Sequence, residues 1–295
     1  MLLSDFIRSG TARLETLYPS PEARGLVLML CRERLGVTNY THIVEPQTLV
    51  PPEREAELAA DLERLCAGEP IQYVLGFAEF CGQRFAVGPG VLVPRPETEQ
   101  LVAEAVRALR EMDLDRAPSV LDLCTGSGCI AWSIALEIHD AQVVGVDLSE
   151  TALGYARNQH LRHFKHPYSH SGLDPESPTF LQMDILDTEQ AFEGGPFDLI
   201  VCNPPYVMER ERALMRSNVL DWEPEAALFV PDDDPLLFYR AVARWAQRFL
   251  RPGGAGLVEI NEALGPETAA VFTAAGFKNV QILPDFAHKN RFIRF

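Results

Sequence analysis

The sequence predicts an α/β protein. Its main part is a mostly parallel sheet of seven strands with an antiparallel edge, preceded by a small all-α region and a β-hairpin. Three observations predict this. From Val120 onward, short apolar runs alternate with stretches of helical periodicity, the pattern of strands joined by crossover helices. The last two runs have no helical stretch between them, which suits an antiparallel edge pair. The first seventy or so residues carry apolar side chains at helical spacing and show no strand period.

In chain order, Ser20 followed by Pro21 reads as a cap and a first helical residue. The run Ala23 to Leu35 follows, and Gly36 suits its stop. The run Glu53 to Cys66 sets Leu58, Leu62 and Leu65 on one face, with Gly68 beyond it. Between Gly76 and Pro94 the period changes. Phe77, Phe80, Phe85, Val87, Val91 and Val93 fall among turn-forming glycines and a proline, which predicts short strands in a hairpin. Helix resumes near Glu97, with Leu101, Val102, Ala105, Val106 and Leu109 on one face. Strands are expected over 119–123, 142–147, 179–183, 197–202, 255–260, 278–283 and 290–295, and helices over 129–138, 150–162, 235–250 and 265–275. The expected organisation is a helical domain over 1–75, a hairpin linker over 76–95 and an α/β domain over 96–295.

Bulk properties narrow the function. The 295 residues are 47% apolar and 23% charged, an ordinary globular composition. No apolar run reaches the roughly 18 to 20 residues that span a bilayer, and Met1 to Phe6 lack a basic start and long apolar stretch. A cytoplasmic protein without a membrane partner is expected. The six cysteines show no CxxC spacing, so free thiols are expected, with no metal. A formal charge of −16 argues against direct nucleic-acid binding, which depends on cationic contacts to phosphate. His160, His163, His166 and His170 fall close together but follow no ligand motif and read as a solvated surface.

The run Leu121 to Ala131 reads as a strand, a glycine turn through Cys124, Thr125, Gly126, Ser127 and Gly128, and the start of a helix. Twenty-one positions past Gly126 stands Asp147, ending the next strand. An acid at that spacing can accept both ribose hydroxyls of a nucleoside cofactor. Ala131 also completes a dinucleotide-type spacing, which keeps NAD open on the turn alone. Two acids weigh against NAD: Asp122 inside the first strand can hold a cofactor ammonium through the turn, and Asp184 after the third strand suits an adenine amine. Together they favour S-adenosylmethionine, with Leu148 among the residues lining it.

The decisive stretch is Phe197 to Val207, in which an apolar strand ends in Asn203-Pro204-Pro205-Tyr206. The prolines stiffen the turn and remove two donors. The Asn203 side-chain oxygen and the Pro204 carbonyl remain as acceptors, a pair suited to a substrate –NH₂. Accepting both hydrogens would hold a planar nitrogen and push electron density onto it, and Tyr206 could pack over the flat group. This stretch leaves adenine and glutamine both open as substrates.

Three further stretches narrow the choice: Gly68-Glu69-Pro70-Ile71-Gln72-Tyr73-Val74-Leu75-Gly76, Val93-Pro94-Arg95-Pro96-Glu97-Thr98-Glu99 and Glu223-Pro224-Glu225-Ala226-Ala227-Leu228. With the tetrapeptide, these resemble the bacterial release factor glutamine methyltransferases, the HemK/PrmC family, along nearly the whole chain. The resemblance implies a Rossmann-like class I methyltransferase domain. It implies methylation of the glutamine in the Gly-Gly-Gln motif of class 1 peptide chain release factors, with the N-terminal helices helping to hold the release factor. It also implies that Cys124 to Gly128, Asp147, Ile185 and Asn203 line S-adenosylmethionine, and that Asn203 to Tyr206 hold the glutamine. A sister family acting on a ribosomal protein typically has serine at the place of Pro96 and lacks the Glu-Thr-Glu that follows. DNA adenine methyltransferases share only the tetrapeptide. One departure is Ile185, where family members often carry an aromatic residue, which implies a thinner adenine wall.

Overall fold

The computed structural model of the chain describes residues 1–112, 114–161, 178–187 and 190–295. His163, His166 and His170 lie outside the described residues, and His160 is exposed. The chain forms two compact units, one of residues 1–77 with 216–222 and one of residues 78–215 with 223–295.

The first unit is helical. Helix α1 (Leu3–Leu14), α2 (Ser20–Leu35) and α3 (Pro52–Cys66) are followed by a single turn at Ile71–Leu75. Their apolar faces enclose Phe6, Ile7, Leu14, Val27, Leu30, Leu58 and Leu65, all buried. Gly10 lets α1 approach α2 closely, since a Cβ there would lie 3.3 Å from both Val27 methyls. The expected stop at Gly36 is observed, with φ +69° and its N–H donated to the Arg32 carbonyl. The expected cap is not: Pro19 occupies the extended position before the helix, no side chain caps it, and Ser20 is already helical. Only the residue just outside the first turn can aim its oxygen at the free N–H groups, and the serine stands one place too late. Segment Arg216–Trp222 joins this unit, with the Trp222 indole nitrogen 3.7 Å from where a Gly68 Cβ would stand.

The second unit, from Ala78, opens within a hairpin of β1 (Phe77–Phe80) and β2 (Gln83–Ala86). Val87, Val91 and Val93, expected as strand residues, lie beyond it in irregular but buried chain. Their apolarity reflects burial and not pairing. Helix α4 (Thr98–Glu111) follows, its buried face made by Leu101, Val102, Ala105, Val106 and Leu109.

The sheet contains β3 (Ser119–Leu123), β4 (Gln142–Asp147), β5 (Thr179–Gln182), β6 (Phe197–Cys202), β7 (Leu250–Glu259), β8 (Gln281–Pro284) and β9 (Asn290–Arg294). Their spatial order is β8-β9-β7-β6-β3-β4-β5. The strands from β5 to β7 pair parallel, and β9 runs antiparallel to both β7 and β8, as the sequence predicts. Helices α5 (Cys129–Glu137), α6 (Glu150–Arg157), α7 (Leu237–Phe249) and α8 (Gly265–Ala274) complete it. Two apolar clusters pack on the sheet, one including α4 and α5, the other including Tyr239, Val242 and Phe249 of α7 and Phe272 of α8. Strand β7 begins five residues before the predicted 255, and β8 begins three after the predicted 278.

Candidate active site

The register of the sheet brings the predicted residues to one edge. Leu123 pairs with Val146 on one side and Cys202 on the other, and Cys202 pairs with Val258. One residue further on, Asp147, Cys124, Asn203 and Glu259 therefore stand in a row at the carboxyl ends of four adjacent strands. The chain leaves β3 toward β4 and later returns to its other side as β6, so this is the point where strand order reverses and α/β sheets bind ligands.

The glycine turn is held by backbone bonds. Thr125 N–H donates to the Val146 carbonyl at 3.0 Å and Gly126 N–H to Asp147 Oδ2 at 2.8 Å. Asp147 Oδ1 accepts from Ser149 N–H at 2.9 Å. Each oxygen keeps a lone pair for another donor. Burial pushes the Asp147 carboxyl above its ordinary range. Cys124 and Gly126 both take left-handed backbone, φ +58° and +56°, which is uncommon for a residue with a Cβ. Cys124, Thr125, Gly126, Ser127, Asp147 and Leu148 all line one cavity.

Two predicted cofactor residues lie behind that lining. Gly128 (φ +77°) would place a Cβ 3.0 Å from Ala156 and Phe180 and 3.1 Å from Trp132. Its missing side chain makes room for protein. Asp122 is fully buried; its Oδ2 accepts from Thr125 Oγ1 at 2.6 Å, and its Oδ1 has no partner among the described residues. Burial pushes this carboxyl up to about 7.

The far wall of the cavity is Met183, Asp184, Ile185, Leu186 and Phe238. Asp184 Oδ1 accepts from Leu186 N–H at 2.8 Å, which bends the chain back, and Trp245 Nε1 donates to the Ile185 carbonyl at 3.1 Å. The near wall comes from two loops that sequence reasoning did not join. Buried Glu223 accepts from Val93 N–H at 2.9 Å and from Arg95 at 2.6 Å. This clasp binds the Gly90 to Arg95 segment to Pro224, Ala226 and Ala227 along the cavity. Each loop was visible as a motif, but nothing in either predicted the bond between them.

Of the tetrapeptide, Asn203 and Pro205 line the cavity, while Pro204 and Tyr206 do not. Tyr206 donates its hydroxyl to Glu259 Oε1 at 2.9 Å, so its ring is fixed from the hydroxyl end against the protein. Glu259 Oε2 accepts from Thr98 Oγ1 at 2.7 Å, and Asn203 Nδ2 donates to Thr98 Oγ1 at 3.3 Å. Thr98 and Glu259 are functional candidates that no separate signal marked: Thr98 was one letter of a motif and Glu259 the end of an apolar strand. Among the described residues, no group of three or more His, Cys, Asp or Glu gathers to hold a metal. Nor is any helix there long and apolar enough to cross a membrane.

Comparison with known proteins adds to this geometry. Residues 114–270 match the model of a methyltransferase domain and residues 5–76 that of the PrmC N-terminal domain. The chain is 40% identical over 280 residues to a release factor glutamine methyltransferase of Bacteroides thetaiotaomicron, covering 95% of each. It is 38% identical over 294 residues to one of Flavobacterium psychrophilum, covering 100% of this chain and 99% of the other. A crystal structure of a release factor-specific protein-(glutamine-N5) methyltransferase from Alicyclobacillus acidocaldarius is 30% identical, with a TM-score of 0.41 over 71% of this chain and 97% of that one.

Proposed function

The chain belongs to the release factor glutamine methyltransferase family, and from that premise we propose the reaction its site performs. It transfers a methyl group from S-adenosylmethionine to the side-chain amide nitrogen of the glutamine in the Gly-Gly-Gln motif of class 1 release factors. The observation that carries the chemistry is Asn203, set into the cavity wall one residue beyond β6 and beside the glycine turn of β3; family membership supports glutamine over adenine.

The residues present fit the cofactor. Asp147 has lone pairs free for ribose hydroxyls, and Asp184 lies beside an apolar wall suited to adenine. Asp122, behind the turn, accepts from Thr125 Oγ1 and braces the residues that face the ligand. When bound, S-adenosylmethionine would supply an electrophilic methyl on a sulfonium, the sulfur–methyl bond breaking as the nitrogen–methyl bond forms, with S-adenosylhomocysteine as the leaving group and one amide proton released to solvent. The protein's own part is to hold the acceptor nitrogen. An amide nitrogen is a weak nucleophile because its lone pair is delocalised. Asn203 Oδ1 and, from just outside the cavity lining, the Pro204 carbonyl accept its two hydrogens, fix it in place and raise its electron density. Pro204 and Pro205 bring no N–H to compete for those acceptors. Rate enhancement then comes from positioning and from dipoles set in advance.

Pro96-Glu97-Thr98-Glu99 favours a release factor over a ribosomal protein, and the acidic charge disfavours DNA. The partner is thus a component of translation in the cytoplasm, with no membrane and no direct nucleic-acid contact. The test is to incubate the protein with labelled S-adenosylmethionine and either a class 1 release factor, the same factor with the motif glutamine replaced, or adenine-containing DNA. Label is expected on the intact factor alone. Label on DNA alone, or on the factor lacking the glutamine, would overturn the assignment.

A further inference from the structure

An asparagine side chain can present either its oxygen or its –NH₂ to a ligand, and the two orientations have nearly the same shape. Only the first can accept a hydrogen bond from a substrate amide. Something in the protein must choose, and a chain of hydrogen bonds behind Asn203 has the polarity to do so. Glu259 is 1% exposed, sits on the last residue of β7, and as a carboxylate can only accept. Its Oε1 is taken by the Tyr206 hydroxyl and its Oε2 by Thr98. Thr98 has a single hydroxyl hydrogen and spends it on Glu259. Toward Asn203 it therefore has only lone pairs, and it accepts from Nδ2. The Asn203 oxygen is left to turn toward the cavity.

We propose that Thr98 and Glu259 are positioning residues: by fixing hydrogen-bond direction, they hold the Asn203 amide with its oxygen toward the acceptor nitrogen. Glu259 lies behind the cavity lining and Thr98 within it, and both act through Asn203. The inference rests on the glutamine methyltransferase reading. It assigns a task to two residues from α4 and β7, far in sequence from the tetrapeptide they serve. The logic runs in reverse if Glu259 is made a donor. An amide at 259 whose oxygen faces Tyr206 presents –NH₂ to Thr98. Thr98 then gives its hydrogen to Asn203, and the asparagine turns its –NH₂ on a substrate that has only hydrogens to offer.

Protonation of Glu259 at Oε2, the oxygen that faces Thr98, has the same consequence. The charged and titratable groups facing it are Glu97 just before α4, Tyr206 after β6, Arg291 on β9 and Tyr239 on α7, beside the Thr98 hydroxyl. Burial is the largest influence and raises its pKa; the bonds from Thr98 and Tyr206 and the charge of Arg291 pull it down. The net shift is upward. The competent direction therefore exists above that pKa and is lost as pH falls through it.

The test uses the full-length protein with a class 1 release factor and S-adenosylmethionine, comparing wild type, Glu259→Gln, Thr98→Val and Thr98→Ser. Wild type must methylate the factor; if it does not, the assigned reaction fails before this inference is reached. Given that activity, kcat is expected to fall on the order of 10- to 100-fold in Glu259→Gln and Thr98→Val. Cofactor affinity should hold within experimental spread, and Glu259→Gln should keep its melting temperature, while Thr98→Val loses a few degrees because a buried carboxylate oxygen loses its donor. Thr98→Ser, which keeps the hydroxyl, should recover kcat to within about threefold, and the acid limb of wild-type kcat should vanish in Glu259→Gln. Near-normal kcat in Glu259→Gln overturns the proposal. So does a loss in Thr98→Val that Thr98→Ser leaves unrescued, and so does a parallel loss of cofactor affinity and melting temperature in both variants, which would make the residues structural.

Discussion

The two ends of the cavity are built differently. At the glycine turn the acid is held by main chain: Asp147 accepts from Gly126 N–H and Ser149 N–H, and Asp184 from Leu186 N–H. At the tetrapeptide, Asn203 is held by side chains, through Thr98 to Glu259 and back to Tyr206, and these partners come from separate elements. The first arrangement needs a short motif and a neighbouring strand. The second needs the whole sheet to register correctly, because the residues meet only when β6 and β7 align. A backbone-built turn tolerates change in side chains that do not themselves meet the ligand. A side-chain relay fails when any one member does.

The largest effect should come at the relay's end. Asn203→Ala is expected to cut kcat about 1,000-fold, near 4 kcal/mol, while cofactor affinity measured by calorimetry changes little. Near-normal turnover would break the contrast at once. At the other end, Asp147→Ala should weaken cofactor binding up to about 100-fold, near 3 kcal/mol, and leave kcat at saturating cofactor within a fewfold. A kcat loss as large as that of Asn203→Ala would mean the two ends do not work separately. The smallest effect distinguishes ligand approach from packing within the turn. Gly128→Ala should lower stability by about 1–2 kcal/mol in chemical denaturation, with cofactor affinity of the folded protein preserved. Selective loss of affinity without loss of stability would restore Gly128 to the ligand site.

This contrast also explains what could be read from the sequence. Strands 119–123, 142–147 and 197–202 are found at the predicted bounds, because central parallel strands are mostly apolar runs punctuated by turn residues. The turn, its acids and Asn203 were legible because each is local. The start of β7 was not: Arg251, Pro252, Gly253 and Gly254 read as a turn, yet the strand runs through them with an irregular register opposite Phe197 and Leu199. Val87 to Val93 carry a strand's apolarity without its pairing, since buried irregular chain asks for the same side chains. The relay was invisible for a plainer reason. Thr98 lies 105 positions from Asn203 and 161 from Glu259, and no local pattern encodes a bond over that distance.

The return of Arg216–Trp222 to the helical unit has a practical meaning for anyone who cuts or grafts this protein. The unit is not a detachable leader. The chain crosses between the units three times, after residues 77, 215 and 222, so a deletion of the first 77 residues takes away the partners of a segment that stays behind. Trp222 would lose its seat beside Gly68, one position before the clasp residue Glu223. A transplant of the helical unit onto a relative should carry both pieces, with the second spliced into the host's corresponding loop.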